Sequence, residues 1–225
     1  MRPIAKIHTN LSGKFGIPRQ SGVVAALKGI IQFEEPYRNP DALRGLSEFS
    51  HIWLLWRFSE SIQDPDDFRP LVRPPKLGGN KQMGVFATRS PFRPNSIGMT
   101  VCKIDKIDLE SEGGPFIHVS GIDLMDGTPI LDIKPYVPYS DIVPDALQGF
   151  TKKIDETPLK VLDPKNKLSI FNEENRNELK AILTNDPRPG YQEDTDRIYG
   201  IIYLNKNVRF KIKNHTLTIY DIENI

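Results

Sequence analysis

The chain has 225 residues, 38% of them hydrophobic and 26% charged. That is enough apolar material for one packed domain or a core with a small appendage, and too much for general disorder. The net charge of +1 says nothing about a polyanionic partner, and the single cysteine excludes an intramolecular disulfide. The longest apolar run, Ile52–Trp56, is far shorter than the roughly 20 residues of a membrane helix, and the start lacks an apolar leader, so a cytoplasmic protein is expected.

In chain order, short alternating or apolar runs predict strands at Ile4–His8, Ile30–Phe33, His51–Phe58, Met83–Thr88, Ile97–Leu109, Phe116–Ile122 and Ile130–Pro135. Between the second and third, Pro40–Leu46 reads as a short helix, with Asn39 as its cap and Pro40 in its first turn. Many short strands without long helices between them predict an antiparallel sheet or barrel rather than a doubly wound sheet. From Val137 to Leu159 the character changes to a proline-punctuated linker or wrapping loop. Beyond it, Glu173–Leu183 has helical spacing, and Tyr199–Leu204, Val208–Lys213 and Thr216–Ile222 alternate as strands, with turns at Asn205–Asn207 and Asn214–His215. The expected organisation is mainly β. A small antiparallel β-barrel core occupies residues 1–140, a linker 141–159 and a C-terminal α+β appendage 160–225. An appendage of that size is expected to dock on the main domain or on a partner chain.

Several enzyme classes lose their warrant on motifs. No glycine-rich turn opens a helix after a strand, since Gly78-Gly79-Asn80 precedes a strand-like run. The four histidines, at 8, 51, 118 and 215, stand singly, so no metal site is expected. Cys102 lies in the apolar run Met99–Ile104 and reads as a core residue, not a reactive thiol.

What remains is a loop system. The charge balance is +6 over residues 1–100, −4 over 101–154 and −1 over 155–225. From Arg69 to Arg93 there are six Lys/Arg (Arg69, Arg73, Lys76, Lys81, Arg89, Arg93) and no Asp or Glu. Prolines stiffen this stretch, and arginines in a stiff frame can hold phosphate or carboxylate bidentately; a basic surface hairpin is the plain alternative. A second segment runs from Asp123 to Tyr136, where Asp123 and Asp126 flank an apolar pair. Either carboxylate suits a cationic ligand such as a sulfonium, and either suits an ordinary β-turn. A polar loop, Ile17-Pro-Arg-Gln20, follows the first strand. Another, Asp186-Pro-Arg-Pro-Gly-Tyr191, follows the C-terminal helix, where Tyr191 can stack on a base and Arg188 can meet phosphate, or both can simply end the helix.

These segments, with Phe49-Ser-His-Ile-Trp53, Arg73-Pro-Pro-Lys-Leu-Gly-Gly-Asn80, Gly84-Val-Phe-Ala-Thr-Arg-Ser-Pro-Phe-Arg-Pro-Asn95 and Asp126-Gly-Thr-Pro129, occur in the order seen in the TrmO (YaeB/VirR-like) family. The chain resembles that family over nearly its whole length. The resemblance implies a β-barrel methyltransferase that uses S-adenosyl-L-methionine. Its substrate would be N6-threonylcarbamoyladenosine beside the tRNA anticodon, methylated at N6 by a homodimer with the cofactor near the subunit interface. It implies a cofactor site bordered by Pro18, Arg19, Gln20, Ser59, Glu60, Arg89 and the turn Leu124, Met125, Asp126, Gly127. tRNA contacts are expected at Arg73, Arg93, Asp186, Arg188 and Tyr191. A carbamoyl-bearing N6 is a poor nucleophile until its proton leaves, so a base is expected, with Asp126 and His51 as candidates. Arg89 is placed in the catalytic set as a stabiliser of developing charge or a holder of the threonyl carboxylate. Two rival readings stay open: a non-catalytic RNA-binding barrel, and a methyltransferase of the same fold acting on another small molecule.

Overall fold

The computed structural model describes residues 1–60, 68–77, 80–153, 157–188, 194 and 196–225. In the first part, strands run β1 (Ala5–Thr9), β2 (Lys28–Phe33), β3 (His51–Arg57), β4 (Leu71–Val72), β5 (Met83–Gly84), β6 (Ile97–Asp108), β7 (Phe116–Ser120) and β8 (Thr128–Pro135). Six of them close an antiparallel barrel in the order β1-β2-β7-β6-β3-β8, and β8 returns to pair with β1. The mainly β reading with a small antiparallel barrel therefore holds.

Closure follows from period-two patterning. Ala5 and Ile7, Ile31 and Phe33, Ile52, Leu54 and Trp56, Ile117 and Val119, and Ile130 all point inward and are buried; Lys6, His8 and Trp53 alternate outward or half-outward. Gly98 is fixed by packing. It lies opposite Trp56 on the neighbouring strand, and a Cβ there would sit 2.3 Å from the indole ring. The indole lies across the glycine and donates to Thr100 Oγ1 at 2.9 Å.

Two local expectations change. Pro40–Leu46 is not one helix. It is a 3-10 turn at Pro40–Leu43 and another at Leu46–Glu48, separated by Gly45 with φ +84°, although Asn39 does cap the first. Met83–Thr88 is not a strand either: β5 has two residues, and Val85–Ala87 turns as 3-10 helix, leaving Phe86 exposed.

The segment after β8 begins with a short helix, α1 (Pro138–Asp141). Asp141 pins it to the barrel by accepting from Trp53 Nε1 at 3.1 Å and from the Val137 amide at 2.7 Å. Tyr139, Ile142, Val143 and Leu147 along this segment are exposed. The C-terminal unit is a four-stranded sheet, β10-β11-β12-β9, built from β9 (Lys160–Leu162), β10 (Tyr199–Tyr203), β11 (Lys206–Lys213) and β12 (Thr216–Asn224); β9 joins β12 in parallel. Both hairpins have two-residue turns, Leu204-Asn205 and Asn214-His215, with positive φ at both positions, the geometry that matches strand twist. Helix α2 (Glu173–Thr184), capped by Asn172, buries Leu179, Ile182 and Leu183 against this sheet's core.

Barrel and C-terminal sheet share one continuous apolar core. The loop after β1 is the contact. Asn10 donates to Glu178 Oε2 at 3.2 Å and accepts from the Leu204 amide at 3.0 Å. Lys28 pairs with Glu174. Gly16, with φ +91°, lets this loop lie so close to β10 that a Cβ would be 2.8 Å from Ile201.

Candidate active site at one mouth of the barrel

Strands β1, β3 and β7 end, and β2, β6 and β8 begin, at the same mouth; the register pairs Thr9 with Gly29, Arg57 with Ile97, and Ser120 with Lys28 and Lys103. Three connections leave from there: residues 10–27, 58–96 and 121–127. They hold most of the residues singled out from sequence.

The first two meet where Arg89 Nη1 donates to the Gln20 carboxamide oxygen. The first and third meet at Gly22, whose amide donates to the Gly121 carbonyl at 2.8 Å. The turn Leu124–Gly127 is held to β1 and the loop after it by the Gly127 amide donating to Ile7 O and the Asp126 amide donating to Leu11 O. The Asp126 carboxylate accepts from the Thr9 amide at 3.0 Å and lies 3.3 Å from His8 Nδ1, on the outer side of the mouth. Ser59 and Glu60 start the second connection and are exposed; Lys14 donates to the Glu60 carbonyl at 3.0 Å and pairs with its carboxylate at 3.3 Å.

The acid set inside the mouth is the half-buried Asp123. It accepts from Thr100 Oγ1 at 2.6 Å, and Thr100 in turn accepts from Trp56 Nε1. Burial raises the Asp123 carboxyl above its ordinary range, against the pull of Thr100, the Ser21 amide and the nearby Arg89 charge. A guanidinium and a desolvated carboxylate thus face one mouth. In the sequence Asp123 has nothing to set it above Asp126, and the one signal of Thr100 is a hydroxyl inside the apolar run Met99–Ile104.

The C-terminal motif reaches this mouth. Asp186 and Arg188 form a two-point ion pair, Nε to Oδ1 at 2.9 Å and Nη2 to Oδ2 at 2.7 Å. Burial alone would raise the Asp186 carboxyl, but Arg188 holds it below the usual carboxylate range. The Arg188 carbonyl accepts from Arg19 Nη2 at 2.6 Å, so the loop of Pro18, Arg19 and Gln20 is joined to the C-terminal unit. Tyr191 lies outside the described residues.

Three sequence candidates stand apart or act differently. His51 opens β3, six residues before Arg57, so it sits at the opposite mouth, roughly 20 Å away along the strand. There it contacts Ser50 Oγ at 2.9 Å and the edge of Tyr136. Arg93 turns back on its own loop and donates to the Thr88 and Ser90 carbonyls at 3.1 and 3.0 Å, which shapes the backbone around Arg89. Arg73 follows β4 and is exposed. Among the described residues no group of three or more His, Cys, Asp or Glu side chains has metal-binding geometry.

The family model for the tRNA-methyltransferase O N-terminal domain matches residues 6–142, and that for the TrmO C-terminal domain matches 166–225. The chain is 34% identical to the tRNA (adenine(37)-N6)-methyltransferase of Escherichia coli K12, covering 98% of this chain and 96% of the relative. It is 39% identical to a putative S-adenosylmethionine-dependent methyltransferase, RcsF, of Pseudomonas aeruginosa PAO1, covering 88% and 86%. The crystal structure of TrmO from Pseudomonas aeruginosa superposes with a TM-score of 0.77 at 30% identity, covering 99% of this chain and 98% of that one.

Proposed function

The chain belongs to the tRNA-methyltransferase O family, and on that premise we propose that it is an S-adenosylmethionine-dependent tRNA methyltransferase that methylates N6 of N6-threonylcarbamoyladenosine at the nucleoside beside the anticodon. The observation that carries the reading is the meeting of Gln20, Arg89, Asp123 and the Leu124–Gly127 turn at one mouth, with Asp186 and Arg188 joined to it through Arg19.

The residues fit the cofactor's chemistry. S-adenosylmethionine carries a carboxylate, an ammonium and a sulfonium, and the mouth offers a guanidinium and a desolvated carboxylate side by side. When bound, the cofactor supplies a methyl group on a cationic sulfur open to in-line displacement. Pro18, Arg19, Gln20, Arg89 and the turn Leu124–Gly127 form its cradle, with Ser59 and Glu60 at the rim. Asp123 complements the positive charge from inside the mouth, where partial burial strengthens the interaction. Alignment of donor and acceptor is the main contribution of such a site. Asp126 is the base candidate that shares this mouth, its carboxylate at the outer rim where the acceptor nucleoside would arrive. Arg73 and the Asp186–Tyr191 segment read the RNA, while Arg93 serves by shaping the Arg89 loop.

The reading extends to a cytoplasmic homodimer with the cofactor near the subunit interface. The exposed apolar side chains Phe86, Phe92 and Met99 near this mouth, and Tyr139, Ile142, Val143 and Leu147 on the segment after β8, support a covering subunit. Among the described residues no helix is long and apolar enough to cross a membrane.

Substitution Arg89→Ala tests the assignment. The expected result is loss of methyl transfer to threonylcarbamoylated tRNA, read by nucleoside mass spectrometry, with unchanged thermal unfolding. Near-normal turnover sinks it. Calorimetric titration with S-adenosylmethionine that releases no heat, alongside intact tRNA binding, favours the non-catalytic RNA-binding barrel.

A further inference from the structure

The C-terminal sheet has two faces of opposite character. One face buries Tyr199, Ile201, Tyr203, Val208, Phe210, Ile212, Leu217 and Ile219 against α2 and the barrel loop. On the other face, register sets Lys211 beside Thr218 and Leu162, and Lys213 beside Thr216 and Lys160. A β-bulge opposite Arg209 adds an extra residue, Tyr220, to β12, and its half-exposed ring stands on this open face. Two cations lie over that ring, the Arg209 guanidinium carbon at 5.6 Å and Lys211 Nζ at 5.8 Å from its centre.

Among the described residues of β11 and β12 the acids lie at one end and are paired: Glu223 with Arg209, and Asp221 with Lys167. Lys160, Lys211 and Lys213 have no ion-pair partner among the described residues. The open half of the face is therefore a band of three unopposed cations and two threonine hydroxyls, with an aromatic ring at its border. Spacing of about 7 Å between Lys211 and Lys213 along the strand, and about 10 Å from Lys213 across to Lys160, keeps the cations apart yet within reach of one polyanion. This composition does not suit a second copy of the same face, because a two-fold contact would set lysines against lysines. It suits a phosphodiester backbone, with the tyrosine available for stacking.

We infer that the open face of β9, β12 and β11 is a second RNA-binding surface, one that holds the tRNA backbone outside the anticodon stem-loop while the barrel mouth works on the modified nucleoside. The inference rests on the tRNA reading above and gives the C-terminal sheet a role separate from the Asp186–Tyr191 segment.

The test uses the full chain and two fluorescently labelled RNAs: whole tRNA and its isolated anticodon stem-loop. Binding is read by anisotropy across a salt series, and methylation is followed in parallel. In K211E/K213E, and independently in K160E, affinity for whole tRNA should fall about tenfold or more, and the slope of log affinity against log salt should lessen by about one per lysine. Affinity for the stem-loop should stay within twofold. Tyr220→Ala should weaken whole-tRNA binding, and Tyr220→Phe should restore it. Unchanged thermal unfolding shows that the variants are folded. Equal loss on both RNAs, no loss on either, or a change in molecular mass on the double substitution overturns the inference. A wild-type protein that binds tRNA without methylating it overturns the enzymatic reading instead, and the binding comparison still decides the face.

Discussion

Glu178 offers a sharp test of how the two halves are joined. It is 2% exposed, lies on α2, and receives its hydrogen bonds from Asn10 of the barrel loop. Burial is the main cause that pushes its carboxyl from 4.5 up to about 7, opposed by the Asn10 and Tyr203 hydrogen bonds and helped by the neighbouring Glu174. The sign follows from linkage. The folded state favours the protonated acid, so the stabilisation is complete below about pH 4.5 and is lost as pH rises toward about 7. At about 1.4 kcal/mol per pH unit the ceiling is near 3 kcal/mol, and relaxation of the surroundings around the buried charge reduces it to about 2 kcal/mol. Glu178→Gln keeps the shape and removes the titration. Denaturant unfolding of both proteins from pH 5 to 8 isolates the effect, because the other carboxylates cancel in the difference. The variant should gain about 2 kcal/mol over the parent between those limits. A difference that is flat with pH, or that favours the parent at pH 8, would refute the reasoning.

Two further outcomes follow from packing. Gly98→Ala places a methyl group inside the van der Waals radius of the Trp56 ring; a loss of about 2 kcal/mol is expected by thermal unfolding, with a changed tryptophan emission, and an unshifted midpoint would contradict the contact. Cys102 is buried, and its thiol is raised by that burial and then by Asp123 and Asp105; a disulfide reagent at pH 8 should leave the folded protein unmodified and label it fully in guanidinium, whereas rapid labelling of the folded form would place the thiol outside the core.

The barrel strands are legible in the sequence because each is half buried, and half burial writes strict alternation into residues such as Ala5 and Ile7 or Ile52, Leu54 and Trp56. Met83–Thr88 misleads for the same reason. Its apolar residues suggest alternation, but Phe86 faces solvent from a 3-10 turn and Val85 alone is buried. Strand β9 escapes notice because three residues are too few to show a period and its parallel partner is distant in sequence. At the site, Gln20, Arg89 and the Leu124–Gly127 turn share a mouth. Asp123 and Asp126 look alike on paper, and tertiary burial separates them. His51 has the right chemistry for a base, but residue type carries no information about which end of a strand faces which mouth.

The way β8 returns to β1 also bears on how the protein is made. The partner of Ile7 is Thr128, so the first barrel strand cannot complete its hydrogen bonds until the last barrel strand appears. At the 5–20 residues per second of protein synthesis, roughly 6 s or more separate the two. Until β7 is made, β1 and β2 form at most a lone hairpin, too small to be stable in water. The barrel therefore closes only when β8 is made, and a nascent chain arrested before Thr128 presents an open β1 edge to whatever strand or chaperone meets it first.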